Sequence, residues 1–393
     1  MLLLTAAFGM GAGALANETR HLCEPAGGRP DQPSGGAAVL HRLDRAPQRL
    51  NDGWAVSTLK AQGVDPRPLE AMLKAVESGR FTKLDSILIA RHGTLVLEAY
   101  FNGFDHETKH DTRSSFKSIT SALAGIALDK GVVANIDAPI AGYFPDYWPG
   151  IEESAEKKRR ITLAHLLTMT PGFHAEESWG IGPFRENDMW ESDDWLRYTL
   201  DLPMAGEPGS YFSYSSSTTF LIGQVVARAA AEPLPAFAKR ELFDPLGMTD
   251  YCWTLTAKGR AVAQGSFFMR PRDMAKFGQL FLDGGVWRGR RILSEAWVRT
   301  ATRRHVEAGH PRRQSPGPSP SGYGYHWWTT APRPGEDPRT AHSFASGNGG
   351  QKIFVFPKLD LVVVFNGSHY NRRLGHQQPR QILTDFILPA VLD

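Results

Sequence analysis

Two strand-rich stretches at opposite ends of the chain, separated by a long and mostly helical interval, constrain the fold more than any other feature. Near the N-terminal end, Ser86-Ile87-Leu88-Ile89-Ala90-Arg91 and Leu95-Val96-Leu97-Glu98-Ala99-Tyr100-Phe101 flank His92-Gly93-Thr94, which reads as a hairpin. Near the C-terminal end, Gln351 to Phe356 and Asp360 to Phe365 flank Pro357-Lys358-Leu359, and Tyr323 to Trp328 reads as one further strand. From Asp129 to about Thr300 the apolar spacing is helical, at Thr162–Met169, Asp193–Leu200, Ser217–Ala231 and Arg272–Leu282. Pro66–Ser78 and Pro379–Val391 read as helices beside the strands, and residues 303–322 as a proline-rich loop. Strands at both ends with helices between them predict an α+β fold. One antiparallel sheet is built from the N- and C-terminal segments and flanked by helices, with a mostly helical insertion over about 130–300.

Residues 51–393 are expected to form this domain. Residues 17–50, rich in Gly, Pro, Arg and Ala, read as a linker. Residues 1–16 are small and apolar and end in Ala14-Leu15-Ala16, the pattern of a signal peptide, although no Lys or Arg precedes the run. A periplasmic or secreted location is expected, and a cytoplasmic one if the run is not a signal. Cys23 and Cys252 are expected to stay unpaired, Cys23 in the leader and Cys252 as a packed thiol between Tyr251 and Trp253. Neither lies in a C-x-x-C pair and no H-E-x-x-H occurs, so no metal is expected. The net charge of +3, with no basic tract interleaved with aromatics, argues against a nucleic-acid partner. No later segment has the roughly 20 uninterrupted apolar residues of a spanning helix, so stable membrane insertion is not expected. The oligomeric state is left open.

Reactive chemistry is suggested by Ser-x-x-Lys, which occurs three times, as Ser57…Lys60, Ser114…Lys117 and Ser154…Lys157. The third lies among Glu152, Glu153, Glu156, Lys158, Arg159 and Arg160, a solvated charged surface. The first has no sustained apolar face after it. Only Ser114…Lys117 opens a long helix of small and apolar residues, Ser121 to Leu128, with Gly131 as its stop. A spacing of three places the hydroxyl and the amine one turn apart on one face. A close amine that can accept the proton makes a serine nucleophilic. Helix-start potential favours an alkoxide and a neutral amine.

Two other stretches can complete such a site. Glu207-Pro208-Gly209-Ser210-Tyr211-Phe212-Ser213-Tyr214-Ser215-Ser216 carries Tyr214 into the start of a helix. Ala345-Ser346-Gly347-Asn348-Gly349-Gly350-Gln351 leads into a strand, and its missing side chains would let backbone approach a substrate closely. With Ser114-Ser115-Phe116-Lys117 these stretches resemble, in order and spacing, the three motifs of the serine β-lactamase and penicillin-binding-protein superfamily, in particular its class C-like branch. That branch holds β-lactamases, D-alanyl-D-alanine peptidases, carboxylesterases and 6-aminohexanoate-dimer hydrolase. Leu166 to Gly172, Pro245 to Asp250 and Arg272 to Gly278 are also similar to the branch, and the likeness spans roughly residues 80–390.

The resemblance implies a β-lactamase/transpeptidase-like fold and a serine hydrolase acting through an acyl-enzyme, without metal or organic cofactor. Ser114 would be the nucleophile, and Lys117 and Tyr214 would share the proton transfers, with the base left undecided between them. Ser216, Ser346, Gly347 and Asn348 would bind the substrate, the N–H groups of Ser114 and Asn348 holding the oxyanion. Two departures bear on substrate. Ala345 stands where many members have lysine, and Ser216 where most have asparagine. A substrate carboxylate thereby loses a charge-assisted contact and a substrate amide loses a partner, which fits small esters and amides better than β-lactams or peptide termini. β-Lactamase or carboxypeptidase activity, and a sensor that is acylated without turnover, are the alternatives. Trp179, Phe184, Trp190, Trp195, Tyr211 and Phe212 are expected to pack the core, with some lining an acyl pocket.

Overall fold

The computed structural model describes residues 20–24, 43–151, 154–177, 184–308 and 321–392. The apolar run 1–16, Trp179 and residues 309–320 of the proline-rich loop lie outside the described residues. Within them the two distant strand regions join into one nine-stranded sheet. Its order is Val306–Glu307, Ser321–Tyr323, Trp328–Thr330, His342–Ser346, Lys352–Phe356, Leu361–Gly367, Leu84–Arg91, Thr94–Tyr100 and Ala55–Val56. The seam between chain ends pairs Leu361 with Arg91 and Val364 with Leu88, antiparallel. Only the edge pair of Ala55–Val56 with Thr94–Leu95 is parallel.

Strand alternation sends successive side chains to two separate cores. Ile87, Ile89, Val363 and Phe354 pack beneath Pro66–Glu77 and the C-terminal helical run that begins at Leu374. Leu88, Ala90, Val362 and Ile353 face the larger, helix-rich core. Both faces are covered, so these strands read as continuous apolar runs. The Pro66–Glu77 helix begins where Asp65 accepts the Arg67 N–H at 2.9 Å, with Pro66 preset for the first turn. On the larger side, Arg272 clamps the sheet. Its guanidinium donates to both carboxylate oxygens of Glu98, at 2.7 and 2.6 Å, in a fork that fits two parallel bonds.

The helix Phe116–Asp129 runs through the middle of the larger core, with Phe116 to Ala127 all buried. A helix that is apolar or small on every side is an interior helix. Gly125 is required there, because a Cβ would stand 2.5 Å from the Trp297 indole. The neighbouring Ser216–Ala229 helix is buried from Ser216 to Val226 and packs against it.

Three expectations are corrected. The single strand over Tyr323–Trp328 is two short ones, with Tyr323 opposite Trp328 and the chain reversing at Gly324 and a left-handed His326. The mostly helical insertion also contributes to a second, four-stranded sheet of Arg20–Glu24, Tyr251–Leu255, Phe267–Met269 and His110–Asp111. Finally, Cys23 is disulfide-bonded to Cys252 and is not part of a free linker. The pentapeptide Arg20–Glu24 lies antiparallel on Tyr251–Leu255, with the two cysteines directly opposite. Pairing across a sequence separation of 229 leaves no local signature. A cross-link closing a loop of that length removes chain entropy worth up to about 5 kcal/mol from the unfolded state. Cys252→Ser is therefore expected to lower the urea midpoint clearly, and dithiothreitol to do the same to the wild type. Unchanged midpoints would show that the cross-link stabilises nothing.

Candidate active site

Ser114 stands on a tight passage from strand to helix. His110–Asp111 ends the small sheet, and Thr112 is pinned to Phe267, its N–H and its hydroxyl both donating to the Phe267 carbonyl, at 2.9 and 2.7 Å. Arg113 then takes φ of 48°, in the left-handed region that costs a residue with a side chain. Asp111 holds it there by accepting the Arg113 N–H at 2.9 Å and pairing with its guanidinium at 2.8 Å. Arg113 to Ser115 form one 3-10 turn that delivers Lys117 into the first turn of the buried helix.

Lys117 is 1% exposed. Its Nζ lies 3.2 Å from Ser114 Oγ, 3.1 Å from Ser216 Oγ and 3.2 Å from the Gln264 carbonyl. All three can accept from an ammonium, whereas a neutral amine has two N–H groups and one lone pair. The N–H groups can serve Ser216 and Gln264, leaving the lone pair for the Ser114 proton. Burial drives the lysine pKa below its ordinary value, with nearby carboxylates, Glu177 first, opposing that shift. The helix start adds to the preference for the neutral form.

Tyr214 approaches from the other side. Its N–H donates to Glu176 Oε2 at 2.6 Å and its carbonyl accepts from the Glu177 N–H at 2.9 Å. Its hydroxyl is hydrogen-bonded to Ser114, and the Lys117 ammonium position lies 5.3 Å from the centre of its ring. The ring is braced edge-on by Tyr323 at 6.3 Å and lies tilted against Trp328 at 5.8 Å. Burial, reinforced by the carboxylates of Glu177, Glu186 and Glu176, pushes the phenol well above its usual value. The tyrosine is therefore held in its protonated form beside Ser114.

The third stretch comes up against the same turn. A Cβ at Gly347 would collide with the Thr112 carbonyl and approach Arg113 Cβ to 3.1 Å, so only glycine lets this strand end lie against the nucleophile turn. The Gly347 N–H is spent on the Gln351 carbonyl at 2.8 Å. Among the described residues the Asn348 N–H makes no hydrogen bond, while its side chain is tied to Asn371, donating at 2.6 Å. That free backbone donor lies one residue beyond the close approach to the turn.

Ser114, Lys117, Tyr214 and Ser216 thus meet, and Gly347 and Asn348 border them. Two expected substrate contacts look different. Ser216 is 1% exposed, and its hydroxyl is committed to Lys117 and Glu177. Its short side chain stops at the lysine. Ser346 points to the sheet face opposite Ala345, where it accepts from Lys352, a buried lysine that also meets His376 Nδ1 at 2.9 Å. Strand alternation forces that choice, since Ala345 and Gly347 face the turn. Among the aromatics, Phe184 and Trp195 are buried core. Trp190 packs on Trp195 at 4.6 Å, and Tyr211 donates to the Phe173 carbonyl at 2.6 Å. Phe212 is half-buried against Tyr323 and Trp328, the two rings that also pack on Tyr214.

The sequence reading missed Glu177. Its carboxylate accepts from the Ser216 N–H and, at 3.1 Å, from the Ser216 hydroxyl. Burial pushes its carboxyl above the usual range, with Lys117 opposing. The available signal was a pair of adjacent carboxylates, Glu176-Glu177, in an otherwise uncharged loop between Pro171-Gly172 and Trp179.

Comparison with known proteins places the chain in a family. The family profile described as Beta-lactamase matches residues 83–384. The chain is 24% identical to 6-aminohexanoate-dimer hydrolase of Paenarthrobacter ureafaciens over 72% of each chain. It is 28% identical to esterase EstB of Burkholderia gladioli over 42% of its own length and 45% of the relative's. Among solved structures, a family VIII carboxylesterase superposes with a TM-score of 0.63 at 17% identity, covering 83% of this chain and 98% of that one. A penicillin-binding protein homologue from Caulobacter crescentus gives 0.64 at 16% identity, covering 84% and 99%. These likenesses show the fold, an α+β arrangement shared across the group. Among the described residues no helix is long and apolar enough to cross a membrane.

Proposed function

The chain belongs to the Beta-lactamase family of serine hydrolases, and from that premise we propose that it cleaves small esters or amides through an acyl-enzyme on Ser114, with Lys117 as the base. One observation carries this reading: a buried amine 3.2 Å from Ser114 Oγ whose pKa burial lowers, beside a tyrosine held protonated. In acylation the Ser114 proton passes to Lys117 Nζ while Oγ attacks the carbonyl carbon. The N–H groups of Ser114 and Asn348 receive the oxyanion, each such donor being typically worth about 3 kcal/mol. Tyr214 gives its proton to the leaving group and recovers one from Lys117. In deacylation the transfers reverse, with water in the place of the leaving group. Because only neutral Lys117 can act, the rate rises with pH as the lysine loses its proton. Burial places that rise below the range of an exposed lysine.

Ester and small-amide substrates are favoured because Ala345 offers no cation and Ser216 is already engaged. The Cys23–Cys252 disulfide supports an oxidising compartment, and with it an exported protein. The direct test runs p-nitrophenyl butyrate, nitrocefin and a linear amide side by side. Steady turnover of the ester, with nitrocefin at least about tenfold slower, is expected. A single burst followed by a trapped adduct would instead identify an acylated sensor. Phe212 and Trp328 beside Tyr214 provide an apolar wall. Lengthening the acyl chain from acetate to hexanoate should therefore raise kcat/KM, and a flat series would remove that wall from the account.

A further inference from the structure

Lys117 does not stop at Ser114. Its second N–H reaches Ser216 Oγ at 3.1 Å, and the Ser216 hydroxyl donates onward to Glu177 Oε2 at 3.1 Å. The Ser216 N–H anchors the other carboxylate oxygen, so the carboxyl group is fixed in orientation. The chain of donors runs one way, from amine through hydroxyl to carboxylate. We infer that Glu177, acting through Ser216, is a positioning residue that makes Lys117 a stronger base towards Ser114. This rests on the reading of Ser114 as the nucleophile and adds a group that touches neither substrate nor Ser114.

The electrostatics point the same way. A buried amine surrounded only by apolar groups is neutral but a poor base, because the ammonium it forms has no counter-charge. A carboxylate one hydroxyl away supplies that charge when the Ser114 proton arrives, and it stabilises the cation in the transition state more than the neutral amine before it. Other groups around the pair are Glu186 on the Glu186–Glu191 helix, Glu176 beside it, Tyr214 at the entry to the Ser216–Ala229 helix, and Tyr323 and His326 from the sheet side. Glu186 adds to the negative field felt by Lys117. His326 is buried and held neutral, so it supplies no competing cation. Tyr214 and Tyr323 are held protonated. Glu177 is the carboxylate joined to the lysine by an unbroken hydrogen-bonded path.

The test reads Ser114 itself, so that it does not depend on the natural substrate. The rate of phosphonylation by a p-nitrophenyl alkylphosphonate is followed against pH in the wild type, E177Q and E177D, with the labelled peptide identified by mass. In E177Q the plateau rate should fall at least about tenfold, and the acid limb should move to lower pH, because an amine without the neighbouring charge holds its proton less tightly. E177D, which keeps the charge, should retain most of the wild-type limb. If E177Q does not melt cooperatively, S216A supplies the reading, since it cuts the same path at its midpoint and should also move the limb down. A slower rate with an unmoved limb would mean that Glu177 is only structural and would overturn the inference. Failure of the wild type to be labelled at Ser114 would overturn the nucleophile reading instead.

Discussion

Ser114→Ala is expected to reduce kcat for p-nitrophenyl butyrate to background, a loss on the order of 10⁵-fold or more. The residues that would remain, Lys117, Tyr214 and the Asn348 N–H, hold protons and an oxyanion but cannot form the covalent bond. What survives is binding and charge stabilisation, which in other serine hydrolases leaves a small residue over water. The substitution should leave stability nearly unchanged. The turn is held by Asp111, Thr112 and the Ser115 hydroxyl, which donates to the Thr112 carbonyl at 2.6 Å, and none of these bonds uses Ser114. Retention of more than about a hundredth of the wild-type rate would point to another nucleophile.

Tyr214→Phe is expected to cost about 10²–10⁴-fold in kcat, the usual weight of a positioned proton donor. The ring keeps its packing on Trp328 and Tyr323, so the loss comes from the hydroxyl alone. Both half-reactions lose their relay. With an activated ester, however, the nitrophenolate leaves without help, whereas water still needs a proton acceptor. Deacylation should suffer more, and the acyl-enzyme should accumulate. The expected record is a fast burst of nitrophenolate followed by a slow steady state. If burst and steady state slow together, Tyr214 acts in the first step as much as in the second. If neither slows, its hydroxyl has no part in proton transfer.

The sheet was legible because its strands carry their own signature. Ile87 to Ala90 and Val362 to Phe365 are β-branched or apolar runs, and both faces of the sheet are buried. The Ser114 helix was legible for a related reason, since a helix buried all round must be built from small and apolar residues. What escaped were pairings made by distance in space. The Arg20–Glu24 strand is too short to announce itself, and Cys23 pairs with Cys252 across a sequence separation of 229. Tyr323 to Trp328 looks like one strand because its aromatics suit a sheet. The reversal there depends on a left-handed His326, which residue type does not foretell.

Within the site, residues joined by motif spacing were found, and those joined through a third residue were not. Ser114 and Lys117 share a helix turn, and Tyr214 opens another helix, so local pattern pointed to each. Glu177 reaches the lysine only through Ser216, and its loop has no periodicity. Ser216 itself was placed against substrate by analogy with asparagine. A serine hydroxyl, one atom shorter in reach, ends at Lys117.

The residue that carries the acyl group identifies the nucleophile. Rapid acid quench of Tyr214→Phe during turnover of p-nitrophenyl butyrate, followed by peptide mapping, reads this directly. A butyryl group on Ser114 is predicted, in an amount matching the nitrophenolate burst. A burst whose butyryl group maps to Ser57, Ser154 or any residue other than Ser114 would contradict it.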